Sequence, residues 1–192
     1  MKNHKTFVLI VSVLFIILSA CSPSPVELTK RFTTTYNTHD VNKIVALYTN
    51  NAVFEVVGKL SFKGKNQIYR VTQYDSVLNI HMTISNILMR ADTAFYNLTE
   101  TNDWYKTAGI DATHYKMKLI FKKDLITHLQ AEVKPETQKA VSQVLSPFVK
   151  WAAENNTDIL KEMMPEGKFI YNAENAKKSL SLLLKWKESL KK

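Results

Sequence analysis

The sequence predicts an α+β domain with a single core, on three observations. Apolar residues recur at helical spacing from Val26 to Asn79, alternate with period two from His81 to Val133, and return to helical spacing after Pro135. Residues 21–192 are enough for one well-buried core and short for two ordinary domains. No internal repeat and no low-complexity linker divides them.

The first twenty-one residues carry an address. Lys2 and Lys5 supply a positive start, residues 7–18 are almost unbroken hydrocarbon, and Leu18-Ser19-Ala20-Cys21 closes the run. Twelve apolar residues at 1.5 Å each fall short of a bilayer core of about 30 Å. The segment has the anatomy of a secretory signal. Its end resembles the lipobox of bacterial lipoproteins. That resemblance implies a signal peptide over 1–20, acylation (palmitate or similar) of Cys21 and a short lipidated tether over 21–25. The expected location is the cell envelope, lipid-anchored, and Ser22 after the cysteine favours the outer membrane in a Gram-negative cell. Cys21 is the chain's one cysteine, so the mature domain holds together without a disulfide. Two or three acyl chains at about 0.8 kcal/mol per buried methylene make such an anchor stable.

The chain carries 26 basic and 17 acidic residues; without Lys2 and Lys5 the mature part is +7. The lysines are spread out, and Lys185, Lys187, Lys191 and Lys192 complement the dipole of a C-terminal helix. No aromatic-interleaved basic motif appears, so no nucleic-acid partner is expected. Anionic lipid headgroups or acidic ligands fit the charge better.

Element by element, Ser24-Pro25-Val26-Glu27 reads as a capping box with proline at the first helical position. Leu28, Phe32, Thr35 and Tyr36 follow on one face. Asp40 caps a second short helix carrying Val41, Ile44, Val45 and Tyr48. Asn50-Asn51 reads as a turn, 52–57 as a strand and 59–63 as a second small strand between Gly58 and Gly64. A third helix is expected over 65–79, with Ile68, Val71, Thr72, Asp75 and Leu78 on one face. Four long strands follow at 81–90, 93–103, 113–123 and 125–133, with 102–112 as a longer connection. In the third, Tyr115, Met117, Leu119 and Phe121 alternate with His114, Lys116, Lys118 and Lys122, as in an antiparallel sheet covered on one side. Beyond Pro135, a stripe from Ala140 to Ala152 predicts a helix that Pro147 should kink or interrupt. Thr157 is expected to cap a short helix through Met164, which Pro165-Glu166-Gly167 breaks. Asn172 caps a last one, with Ala176, Leu180, Leu183, Leu184 and Leu190 inward.

Three helices, a short strand before the third, then a four-stranded meander is an order that resembles the nuclear transport factor 2-like superfamily, with its SnoaL-like cyclases and ketosteroid isomerases. Tyr36-Asn37-Thr38-His39-Asp40, the run Leu47–Phe54 and the Phe62-Lys63-Gly64 turn carry the likeness. The resemblance implies a SnoaL-like domain over 26–134: a cone-shaped curved antiparallel sheet packed against three N-terminal helices. Residues 135–192 are then a C-terminal helical extension packed on the same core. In relatives the cone encloses a pocket where a carboxylate moves protons, helped by Tyr, Asp or His donors.

Candidate site residues follow from that implication. Asp75, on the apolar stripe beside Tyr74, and Glu55, alternating with Phe54 and Val56, are the candidate catalytic acids. Tyr36, Tyr48, Tyr69, Tyr74 and Trp104 are candidate pocket residues, with Tyr105 beside them. His39-Asp40 reads as helix capping. His81, His114 and His128 lack short ligand spacing, so no metal or cofactor is expected. No nucleophile motif is legible, and the balance is against an enzyme. The leading expectation is a non-catalytic module that binds a small apolar ligand or an envelope protein. The alternatives are a SnoaL-like isomerase, cyclase or dehydratase, and a structural envelope protein with a filled cone. Monomer and homodimer both stay open: the lysine-bearing sheet face disfavours a greasy self-contact, and an appended helix could cover it.

Overall fold

Ser24 opens the fold as its capping box requires. In the computed structural model, which describes residues 23–191, its side chain accepts from Glu27 N while its own N–H donates to the Glu27 carboxylate at 2.7 Å. The signal and lipidation readings lie outside the described residues. Helix α1 (Pro25–Tyr36) buries Leu28, Phe32 and Tyr36, and Asp40 caps α2 (Val41–Ala46) through Lys43 N at 3.1 Å. Among the described residues no helix is long and apolar enough to cross a membrane.

Strand β1 runs Tyr48–Val56 and β2 Leu60–Lys63. Asn50-Asn51 is therefore not a turn but an exposed, irregular part of β1, where the register shifts between Tyr48 and Val53. Helix α3 (Gly64–Val77) starts tightly: a Cβ on Gly64, at φ 75°, would sit 3.3 Å from the Asn50 carbonyl oxygen. Glycine accepts both the conformation and the approach without strain. The α3 stripe is as expected, with Ile68, Val71, Thr72 and Asp75 all buried.

Strands β3 (His81–Arg90), β4 (Thr93–Thr101), β5 (Thr113–Lys122) and β6 (Leu125–Val133) form the antiparallel meander. The strand expected to reach residue 103 stops at Thr101, and the supposed connection holds helix α4 (Asp103–Ala108). Asn102 caps it through Tyr105 N at 2.7 Å, and Gly109 ends it at φ 85°. β1 lies parallel to β6 and antiparallel to β2, giving a curved mixed sheet in the order β2-β1-β6-β5-β4-β3. Its inner face, including Ala94, Leu98, Met117, Leu119 and Leu129, joins the helices in one core.

The last third is helical: α5 (Pro135–Asn155), α6 (Thr157–Met163), a single 3-10 turn (Pro165–Gly167) and α7 (Ala173–Ser189). Pro147 does not interrupt α5. The carbonyl it deprives of a partner belongs to Gln143, which is exposed to solvent. Asn172 caps α7 through Asn175 N at 2.8 Å. Leu184 and Leu190, expected inward, are 49% and 63% exposed, while Leu182, Leu183 and Trp186 are buried. Phe148, Ala152, Met163, Ala176 and Leu183 belong to the same core as the sheet. Helix α7 packs on α3 and α4, so it covers the inner side of the molecule and not the lysine-bearing face.

Candidate functional site

Curvature and the helical third together enclose a cavity of about 370 Å³. The sheet and α1, α3 and α4 form its walls. Helices α5 and α6, the segment before α7 and Ser179 of α7 form its roof, through Leu145, Phe148, Met163, Phe169 and Tyr171. Aromatic edges lock roof to wall: Tyr171 meets Tyr74 at 5.2 Å, Phe169 at 5.0 Å and Phe62 at 5.3 Å between ring centroids. Phe148 makes the same kind of link from Trp104 to Trp186. The cone is not filled by side chains, which corrects that expectation.

The polar part of the lining holds two carboxyls. Helical periodicity carries Asp75 inward on the α3 stripe, where it is 9% exposed. Strand alternation carries Glu100 inward after Ala94, Tyr96 and Leu98, also at 9%. The Tyr36 hydroxyl, at the end of α1, donates to Asp75 Oδ2. Asn102 Nδ2 donates to Glu100 Oε1 at 3.0 Å while its own Oδ1 caps α4. The cap thus fixes the amide that holds the acid.

Burial sets the electrostatics. It pushes the Asp75 carboxyl up to about 7, against the lowering effect of the Tyr36 hydrogen bond. Glu100 is pushed up to about 8, first by burial and then by the neighbouring Asp75 charge, with Asn102 pulling the other way. The Tyr36, Tyr74, Tyr105 and Tyr115 hydroxyls are raised by burial and stay protonated. Near neutral pH the cavity therefore offers carboxyl groups in both protonation states beside neutral phenol donors.

Of the residues singled out from the sequence, Asp75, Tyr36, Tyr74, Trp104 and Tyr105 line this cavity. Tyr48 lies behind the wall, 1% exposed and edge-on to Phe32 at 6.2 Å. Tyr69 is 38% exposed and does not reach the lining. Glu55 is on the opposite face of the sheet, 3.4 Å from His128 Nε2 and 3.3 Å from Gln130 Nε2. His39 Nε2 meets the Ile80 carbonyl at 2.8 Å and Asp40 caps α2. Glu100 was missed, although it continues the alternation of Ala94, Tyr96 and Leu98. Tyr171 and Phe169 carried no sequence signal, because only the folded roof brings them over the cone.

No family model and no curated protein sequence matches this chain. Solved structures do. SalBIII, an epoxide hydrolase/cyclase-like enzyme of pyran ring formation in the polyether salinomycin, is similar at a TM-score of 0.53 and 15% identity. The match covers 59% of this chain and 92% of that one. A protein with a ketosteroid isomerase-like fold from Catenulispora acidiphila, solved with trimethylamine, is similar at 0.52 and 16%, over 60% and 90%. An NTF2-like protein of unknown function from Cytophaga hutchinsonii is similar at 0.50 and 10%, over 60% and 95%. The chain has the nuclear transport factor 2-like fold, and about two fifths of it exceeds what these neighbours share.

Proposed function

We propose that this chain is an exported lipoprotein, anchored through acylated Cys21, whose roofed cone binds a small, largely apolar molecule with its polar group at Asp75 and Glu100. One observation carries the binding reading: an unfilled apolar cavity of about 370 Å³ with two buried carboxyls in its lining. That size and that mix of apolar wall and few polar groups suit a ligand site. The anchor reading rests on the lipobox-like Leu18-Ser19-Ala20-Cys21. Native mass spectrometry of the membrane-extracted chain should show a discrete bound molecule that denaturation releases. A chain that carries none, and that takes up no apolar probe, would sink the binding reading. Metabolic labelling with palmitate, lost in Cys21→Ala, tests the anchor separately.

A second reading is favoured by the pair of carboxyls tuned near neutrality. One in its ionised form takes a proton from carbon or oxygen while the other, protonated, or the Tyr36 hydroxyl donates to a carbonyl oxygen. This is the proton-transfer chemistry of SnoaL-like isomerases, cyclases and dehydratases, on a fold that hosts other functions equally well. A screen of ketosteroids and related enolisable carbonyl compounds tests it. Asp75→Asn and Glu100→Gln should each cost at least 100-fold in kcat, in line with a general acid or base worth about 10² to 10⁴. Turnover that survives both substitutions rules these acids out.

A further inference from the structure

The cavity has one sign of charge available and nothing of its own to pair it with. Among the described residues, no lysine, arginine or histidine lines it, and neither Asp75 nor Glu100 joins an ion pair. Each acid has a single hydrogen-bond donor from the protein, Tyr36 for Asp75 and Asn102 for Glu100, so one oxygen of each is left without a partner among the described residues. Both side chains are nine-tenths buried and line the empty space. Buried acids without a cation are costly unless something neutralises them. Around them stand 11 aromatic residues out of 31 in the lining, together with Met82, Met117, Met163 and Met164. Ring faces attract a positive charge, and flexible thioethers adapt to its apolar substituents.

We propose that the molecule this cavity takes is an organic cation, an amine or quaternary ammonium with apolar substituents, its charge against Asp75 and Glu100 and its body against the aromatic wall and roof. The inference rests on the binding reading above and narrows it to one ligand class. The net charge of +9 on the whole chain does not oppose it at the site. Surface lysines beyond about 8 Å are screened at physiological salt, whereas the acids act at contact through a desolvated interior. The groups facing the two acids are Tyr36 from α1, Tyr48 from β1, Tyr74 from α3, Tyr105 from α4, Tyr115 from β5 and Tyr171 before α7, with Asn102 at the head of α4. None of these supplies a positive charge, and every phenol is held neutral by burial, so the acids alone titrate between pH 6 and 9.

The test compares benzyltrimethylammonium with neopentylbenzene, its neutral isostere with carbon in place of nitrogen, by quenching of tryptophan fluorescence in the full chain. The cation keeps its charge at every pH, so any pH dependence belongs to the protein. At pH 9 it should bind at least tenfold more tightly than the isostere, and the preference should shrink as the acids protonate towards pH 6. Calorimetry at pH 7 in buffers of different ionisation enthalpy should show protons released on binding. The Asp75→Asn, Glu100→Gln double variant should lose the preference yet still bind the isostere. If the isostere binds as tightly at every pH without proton release, the cation is overturned and the binding reading stands. If neither compound binds and the purified chain holds no molecule, both readings fall.

Discussion

Tyr36 and Asn102 each hold one of the two acids, and each is replaceable in a way that separates its roles. Tyr36→Phe removes the donor that pulls Asp75 down. A hydrogen bond to a charged group is worth about 1.5–3 kcal/mol, or about one to two pKa units. The Asp75 midpoint, read by carboxyl carbon NMR, should therefore rise above about 7 by roughly that amount; an unmoved midpoint would show that the contact does not stabilise the ionised form. Asn102→Asp keeps a good cap for α4 but sets a carboxylate where an amide donor meets Glu100. Helix and fold should survive while Glu100 titrates higher. Asn102→Ala should lose both functions and cost on the order of 1–3 kcal/mol in unfolding.

At the scale of elements, the extension makes the cavity, and its packing has a sharp register. Leu183 is fully buried and its neighbour Leu184 is half exposed. Leu183→Ala should cost about 2–5 kcal/mol in chemical denaturation and Leu184→Ala within about 0.5 kcal/mol. Equal effects would mean that α7 is rotated from the position described. The caps Ser24, Asp40 and Asn172 were legible because a short polar side chain before an apolar repeat has few other uses. The α3 stripe was legible because five inward positions over three turns leave one phase. In α7 the consecutive leucines 182–184 fit several phases, and only the partner surface chooses among them. Helix α4 was invisible at six residues, too short for a period to declare itself. Asp75 could be found because its helix announced a face, whereas Glu55 and Glu100 both sit in alternating strands. Which face of a strand is buried is decided by what packs on the sheet. The cavity itself had no signature, since it is a space between segments as far apart as Phe32 and Ser179.

Taken whole, the molecule shifts the titration of two buried acids upward, and its stability must register this. Asp75 and Glu100 have folded pKa values raised from 3.8 and 4.5 to about 7 and about 8. Between about pH 4 and 8 the folded state thus binds more protons than the unfolded one, so these groups lower stability as pH rises through that window and add no further change above it. The melting temperature should fall from pH 5 to pH 9, by an amount equivalent to a few kcal/mol at about 1.4 kcal/mol per unit. The Asp75→Asn, Glu100→Gln pair should flatten the profile; an unchanged slope would place its origin elsewhere. The parallel seam of β1 with β6 has a different kind of consequence. It joins Val53 to His128 and Val56 to Ala131. The first three helices and two strands therefore stay half-finished until a segment some 75 residues later arrives, and the roof follows later still. Contacts of such long range slow folding, because the intervening chain must lose its freedom before any reward is collected. The chain thus closes its sheet late, and its first half waits on its last strand.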